Sequence, residues 1–232
     1  MAVRLKKVDI RGKLSFPNPP IGPGEGPNVY ELKSEMILVE TGELVIGTEA
    51  EPYMHEAIIT LLGIPTSETH SYSNDVVAGN KILFVTGKFT AWGKDLMDGE
   101  PYWTRLYKPC VEGESTIWLA PGLDWQPGYE IAIPPTGYDE NQHESFTIVK
   151  YDDLTGETTL DQPLMYNHFG AADFETFETF NYDLRGEVIL LTRNIKIQGE
   201  EGVKWGGQLM VAEWIDQETG KEYKGEMTLK YV

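Results

Sequence analysis

The chain has 232 residues, 41% hydrophobic and 24% charged, with a formal net charge of −18. This length suits one elongated all-β domain or two small ones with room for a core. The negative charge argues against a nucleic-acid partner, a single cysteine (Cys110) excludes an intrachain disulfide, and no apolar run is long enough to span a membrane.

Val3–Phe16 alternates apolar and polar residues around Gly12 and reads as one or two strands, with Arg4, Lys6, Lys7, Arg11 and Lys13 outward. The stretch 17–27, PNPPIGPGEGP, is too rich in proline and glycine to pair and reads as a loop. Met36–Leu62 then gives three apolar pulses, MILV, LVI and AIITLL, interrupted by Gly42, Gly47 and Pro52. These fit three strands with short corners and not a helix. Gly63–Asn74 is a polar surface loop, and Asn80–Trp92 is a strand pair broken at Thr86-Gly87. Asp95–Pro101 is loop. Thr104–Leu106 and Thr116–Leu119 are strands, and Asp124–Ile133 is a loop followed by a strand. Ser145–Tyr151 and Glu157–Leu160 form a hairpin around DDLTG, where Gly156 suits a left-handed turn position. Asn167–Asp183 is polar and aromatic and could cap or wrap the stack. Val188–Leu191 and Ile195–Ile197 read as two strands of one coil joined by a polar corner, the first covered on both sides. Gln208–Trp214 and Met227–Tyr231 close the chain as a hairpin around DQETGK.

No helical period persists beyond about two turns. The fold class is therefore all-β. Apolar pulses with short polar corners favour a parallel β-helix, a solenoid with loop insertions and hairpins; a β-sandwich is the alternative. The chain begins almost directly in strand pattern without a signal peptide, so an excised segment of a longer protein is expected.

A family resemblance adds to this. Glu35–Gly63, EMILVETGELVIGTEAEPYMHEAIITLLG, resembles the second half of the glycine-rich domain named for its eight glycines, which occurs in fibrocystin, fibrocystin-like and cell-surface hyaluronan-degrading proteins. NKILFVTGKFTAWGK, WTRL at Trp103–Leu106, LDWQPGYEIAIPPTGYDENQHESFTI, TTLDQPLMYNHFG and RGEVILLTRNIKIQGE follow in the family's order. The resemblance implies a right-handed parallel β-helix. Residues 1–65 would hold the second part of the glycine-rich domain and the first coils. Residues 66–232 would hold continuing coils, cut short at the C-terminal end. It also implies an extracellular or cell-surface location. The hyaluronan-degrading members carry a histidine where Trp92 stands here, and a large inserted domain where only Tyr107–Ser115 stands.

The candidate site residues are Asp124, Trp125, Tyr138, Asp139, Gln142, Glu144 and His168. Asp124-Trp125 before Pro127-Gly128 could set an acid and an aromatic against a sugar ring, or simply make a coil corner with tryptophan in the core. Asp139, Glu140, Gln142, His143 and Glu144 form a polar cluster. Its carboxyls could serve acid–base catalysis, and Asp139, Glu140 and Glu144 could hold calcium, or the cluster is an exposed acidic loop. His168 has no second histidine or cysteine at ligand spacing. Arg185, Glu187 and Arg193 read as an ion-pair ladder, and His55 and His70 as loop residues. No cofactor is required by any motif; calcium is the one ion the oxygen donors would suit. The expectation is a non-enzymatic module with a structural, adhesive or carbohydrate- or protein-binding role, self-associating through its coil ends. The alternative is a hyaluronidase-like, polysaccharide-degrading enzyme.

Overall fold

The computed structural model describes residues 4–71, 76–99, 101–173, 175–177, 180–216 and 218–232. The chain divides into two units, Met1–Lys94 with Arg193–Val232, and Asp95–Thr192. Every regular element among the described residues is a strand, as the sequence leads one to expect.

The first unit is built from strands in three parallel rows. One row stacks Leu5–Ile10, the second half of Val29–Val39, Ile82–Val85 and Gln208–Val211. The next stacks Lys13–Ser15, Glu43–Ile46, Lys88–Trp92 and Glu226–Lys230. The remaining row stacks the first half of Val29–Val39 on Glu56–Leu61 and then Ile195–Gly199. The chain visits the rows in the same order on successive passes. Paired residues in a parallel ladder point the same way, so like side chains pile up. Val8, Ile37, Leu83 and Leu209 share one register, and Leu14, Leu44, Phe89 and Met227 another. The buried core of this unit contains Ile37, Leu44, Ile59, Leu83, Phe89 and Ile195. Met36, Leu38, Ile82 and Phe84 point to the opposite side and pack with Ala78 in a second cluster. Both faces of that row are covered, which is why MILV and ILFV are apolar at every position.

Glycine sets the corner between the first two rows. Glu43 N donates to Gly12 O at 2.7 Å, Lys88 N to Gly42 O at 3.0 Å, and Glu226 N to Gly87 O at 2.8 Å. The corners lie directly on one another, leaving no room for side chains at Gly42 and Gly87. Another corner is pinned by Asn194, whose amide nitrogen donates to Tyr53 O at 2.6 Å and His55 O at 2.9 Å, while its oxygen accepts from Lys94 N at 2.9 Å. His55 is more than a loop residue. It is buried, its Nδ1 accepts from Asn28 N at 3.0 Å, and its Nε2 donates to Pro19 O at 2.8 Å, fastening the proline-rich loop.

The second unit is antiparallel. Its six-stranded sheet runs Trp103–Arg105, Glu187–Leu190, Glu130–Ile133, Glu144–Tyr151, Glu157–Leu160, Thr116–Trp118. Tyr107 N donates to Trp118 O at 2.8 Å, so the sheet curls until its two edges meet. Inside lie Leu106, Trp125, Ile131, Ile133, Phe146, Val188 and Leu190. Gly156, at φ +71°, closes the expected hairpin, and its N–H donates to Asp152 O at 2.8 Å.

Three expectations need correction. Val188–Leu191 and Ile195–Ile197 are not two strands of one coil. Glu187–Leu190 belongs to the antiparallel unit and Ile195–Gly199 to the parallel one. Nor is the first run covered on both sides: Val188 and Leu190 are buried, but Ile189 and Leu191 are exposed. The closing hairpin around DQETGK is made by Glu213–Ile215 with Glu222–Lys224. Gln208–Val211 and Glu226–Lys230 are parallel strands in different rows. The suggested wrap over Asn167–Asp183 falls partly outside the described residues, which there form a short hairpin of Glu175–Phe177 with Phe180–Tyr182.

Candidate functional site

The candidate residues all lie in the antiparallel unit, but in separate places. Trp125 is buried in the core, with no ring face left open. Asp124 sits at the bend before it at φ +52° and accepts from Gln126 Nε2 at 2.6 Å. Tyr138, Asp139 and Glu140 stand on an exposed loop. Asp139 caps that loop by accepting from the backbone and side chain of Asn141, both at 3.0 Å, and the backbone bond first of all holds its carboxyl below the ordinary aspartate value.

Glu144 and His168 do meet. Glu144 opens the strand Glu144–Tyr151, and its side chain turns inward. One carboxyl oxygen accepts from Met165 N at 2.7 Å. The other accepts from Tyr166 N at 3.2 Å and meets His168 Nε2 at 2.9 Å. Both side chains are buried, and His168 Nδ1 has no protein hydrogen-bond partner. The reading of Glu144 as part of an exposed acidic loop is thus corrected: it ties the segment 165–168 to the sheet. Beside it, Cys110 exchanges backbone bonds with His168, N to O at 2.9 Å and O from N at 3.1 Å. Burial first, then Glu114 and Glu144, pushes the Cys110 thiol up to about 12, which holds it in the unreactive protonated form at neutral pH. Over this pair lies an open hollow of about 470 Å³ lined by Cys110, Thr136, Gln142, Asn167, His168 and Phe169. Among the described residues, no group of three or more His, Cys, Asp or Glu is placed to hold a metal ion.

A second cleft, of about 450 Å³, was not singled out by residue type. It is lined by Trp103, Arg105, Tyr107, Leu123, Asp183 and Arg185 among others. On WTRLY, Thr104 and Leu106 are buried, so Trp103, Arg105 and Tyr107 face outward together. The Arg105 guanidinium lies over Trp103 at 5.2 Å and that of Arg185 over Tyr107 at 5.0 Å. Arg185 Nε and Nη2 donate to the two oxygens of Asp183, each at 2.8 Å. Arg105 reaches Arg185 O at 2.8 Å, Glu187 at 3.2 Å and Asp183 at 3.5 Å. The expected ladder of Arg185, Glu187 and Arg193 is therefore drawn differently: Arg185 pairs with Asp183, Arg105 takes Glu187, and Arg193 belongs to the other unit. Hydrogen bonding from Arg185 is the main cause that lowers Asp183 to about 2. Trp103 keeps 49% of its surface exposed beside this fixed network. The alternation aromatic, cation, aromatic in WTRLY was the signal in the sequence; its partners arrive from some 80 residues away.

Residues 2–107 match the G8 domain family. Fibrocystin-L of Homo sapiens is 35% identical over 188 residues, covering 77% of this chain and 4% of that protein. Fibrocystin of Canis lupus familiaris is 31% identical over 192 residues, covering 81% of this chain and 4% of that protein. A G8 domain-containing protein of Dictyostelium discoideum is 26% identical over 185 residues, covering 74% of this chain and 11% of that protein. The chain therefore spans 4% of the length of the fibrocystin-L and fibrocystin relatives. Residues 2–107 are a match to the G8 domain, and 77% of the chain aligns with fibrocystin-L.

Proposed function

We propose that this chain is a non-enzymatic module of the fibrocystin-like kind, working outside the cell or at its surface, and that it binds carbohydrate. Its scaffold is a right-handed parallel β-helix made by the first unit, with the antiparallel unit spliced in between Lys94 and Arg193. The three parallel rows and the stacked glycine corners support the solenoid; the alignment with fibrocystin-L supports the family and the location. No helix among the described residues is long and apolar enough to cross a membrane.

The observation that carries the binding role is the cleft at Trp103. An exposed indole face offers a platform for the C–H face of a pyranose ring. Next to it, Asp183 and the two arginines are held rigid by one another, so polar groups are presented to hydroxyls without new ordering cost. The rival reading, a polysaccharide-cleaving enzyme, needs an accessible acid and base. Glu144 is sealed in the core with both oxygens bonded.

Binding is tested on a glycan array, followed by titration of the best glycans against tryptophan fluorescence. Trp103→Ala should lower affinity at least ten-fold while the melting curve stays unchanged. Failure of every glycan to bind, or binding indifferent to Trp103→Ala, overturns the role of the cleft.

A further inference from the structure

Each charged side chain lining the Trp103 cleft is answered by another charge of the same site. Both Asp183 oxygens take Arg185, through Nε and Nη2 at 2.8 Å, and Oδ1 also accepts from Arg185 N at 3.2 Å. Arg105 gives Nη1 to Arg185 O at 2.8 Å and turns Nη2 to Glu187 Oε1 at 3.2 Å. Two guanidiniums thus meet two carboxylates, and neither arginine keeps an open fork for a carboxylate or a sulfate. A charged sugar could reach an arginine only by displacing Asp183 or Glu187, which would then face it as a like charge. What remains for a ligand is the Trp103 ring and the second oxygen of Glu187, whose side chain is 48% exposed and can accept from a hydroxyl.

The register of the sheet carries this surface beyond the cleft. Trp103 is paired with Ile189, Ile189 with Ala132, and Ala132 with Ser145. Their neighbours along the strands, Thr104, Val188, Ile131, Ile133 and Phe146, are buried, so these four side chains point outward together. Ile189 and Ser145 are exposed, and Ala132 between them is small and half-buried. Three inter-strand steps of about 4.8 Å make the row roughly 14 Å long, more than the span of one sugar ring. Ser145, at the far end, lines another hollow of about 400 Å³. Among the described residues, the charged groups of that hollow are the carboxylates Glu130 and Asp161, with no cation beside them in its lining.

We infer that the ligand is an uncharged oligosaccharide, with one ring stacked on Trp103 and the next laid along Ile189 and Ala132 toward Ser145. Uronate and sulfated chains are refused by the closed ion pairs at one end of the row and by the carboxylates at the other. The net charge of −18 adds repulsion at longer range. This inference rests on the carbohydrate reading of the cleft and goes beyond it by fixing the charge and the length of the glycan.

The test compares uncharged tetrasaccharides of glucose, mannose, galactose and N-acetylglucosamine with uronate and sulfated tetrasaccharides, by titration at one fixed salt concentration. At least one uncharged chain should bind ten-fold or more tighter than every charged chain, and Trp103→Ala should abolish the difference. Glu187→Gln frees Arg105 and alters the net charge by a single unit. It should raise uronate affinity at least three-fold if the cleft itself sets the preference. Ala132→Glu, on the row but outside the cleft, should weaken the tetrasaccharide at least ten-fold and leave the disaccharide unchanged. Melting curves confirm that these surface variants fold. Charged chains that bind through Trp103 as tightly as uncharged ones would overturn this inference and leave the carbohydrate reading standing. So would uronate binding indifferent to Glu187→Gln, or a tetrasaccharide indifferent to Ala132→Glu. No Trp103-dependent binding by any glycan would overturn both.

Discussion

Gly87 sits so close under Gly42 that a β-carbon added to it would lie 2.3 Å from the Gly42 carbonyl oxygen. The obstacle is backbone, which cannot swing aside. Gly87→Ala should therefore cost about 1–3 kcal/mol of stability, the range of a core overpacking defect. Gly12, at the outermost corner of the same column, has nothing within 4 Å of its added β-carbon. Gly12→Ala should change stability by less than about 0.5 kcal/mol. Urea unfolding of the two variants checks the contrast. Equal losses would mean that the corners are not stacked as described.

Glu144→Gln keeps the shape of the side chain but replaces one accepting oxygen with a donor. That donor would face a backbone N–H or the His168 ring. Loss of about 2–4 kcal/mol is expected, because a buried donor is left without an acceptor. Reducing-end release from hyaluronan should be absent in wild type and variant alike. Turnover by wild type that Glu144→Gln abolishes would reinstate the enzyme reading.

Cys110 should resist a disulfide-exchange reagent at pH 8 in the folded protein, since burial holds its thiol at about 12. In denaturant it should react at the rate of a free cysteine. Fast reaction of the native protein would show that segment 165–168 opens readily.

Asp183 is lowered to about 2 by Arg185. A depressed carboxyl contributes stability above its unfolded value, near 4, and loses it as pH falls toward 2. Allowing for solvent screening, the contribution is about 1 kcal/mol. Stability measured from pH 5 down to pH 2.5 should fall less steeply in Asp183→Asn than in wild type. Parallel slopes would show that the Arg185 pair adds nothing.

Much of the scaffold could be read from the sequence because short strands with glycine corners carry local signals. MILV, LVI, AIITLL and ILFV each became a strand, and DDLTG became a hairpin turn through Gly156. The misreadings were of partnership. Glu187–Leu190 and Ile195–Gly199 look alike and lie four residues apart, yet one pairs with Glu130–Ile133 and the other with Glu56–Leu61. Period and propensity fix what a segment becomes locally; they do not carry the identity of a strand's neighbour.

The same division holds for the site. Residue types flagged Glu144 and His168 separately, and their meeting across 24 residues was invisible. Trp103, Arg105 and Tyr107 are in view as an alternating run, but Asp183 and Arg185, which fix the cleft, lie about 80 residues on in the chain, just before the neighbouring strand Glu187–Leu190.

By itself, the sequence determined an all-β chain with glycine at its corners, because hydrophobic alternation and turn chemistry act over a few residues. Only the tertiary structure decided which strands run parallel, that Glu144 is buried against His168 and that Asp183 and Arg185 complete the cleft at Trp103. Those depend on contacts between residues far apart in the chain, whose pairing is set by packing the whole core at once.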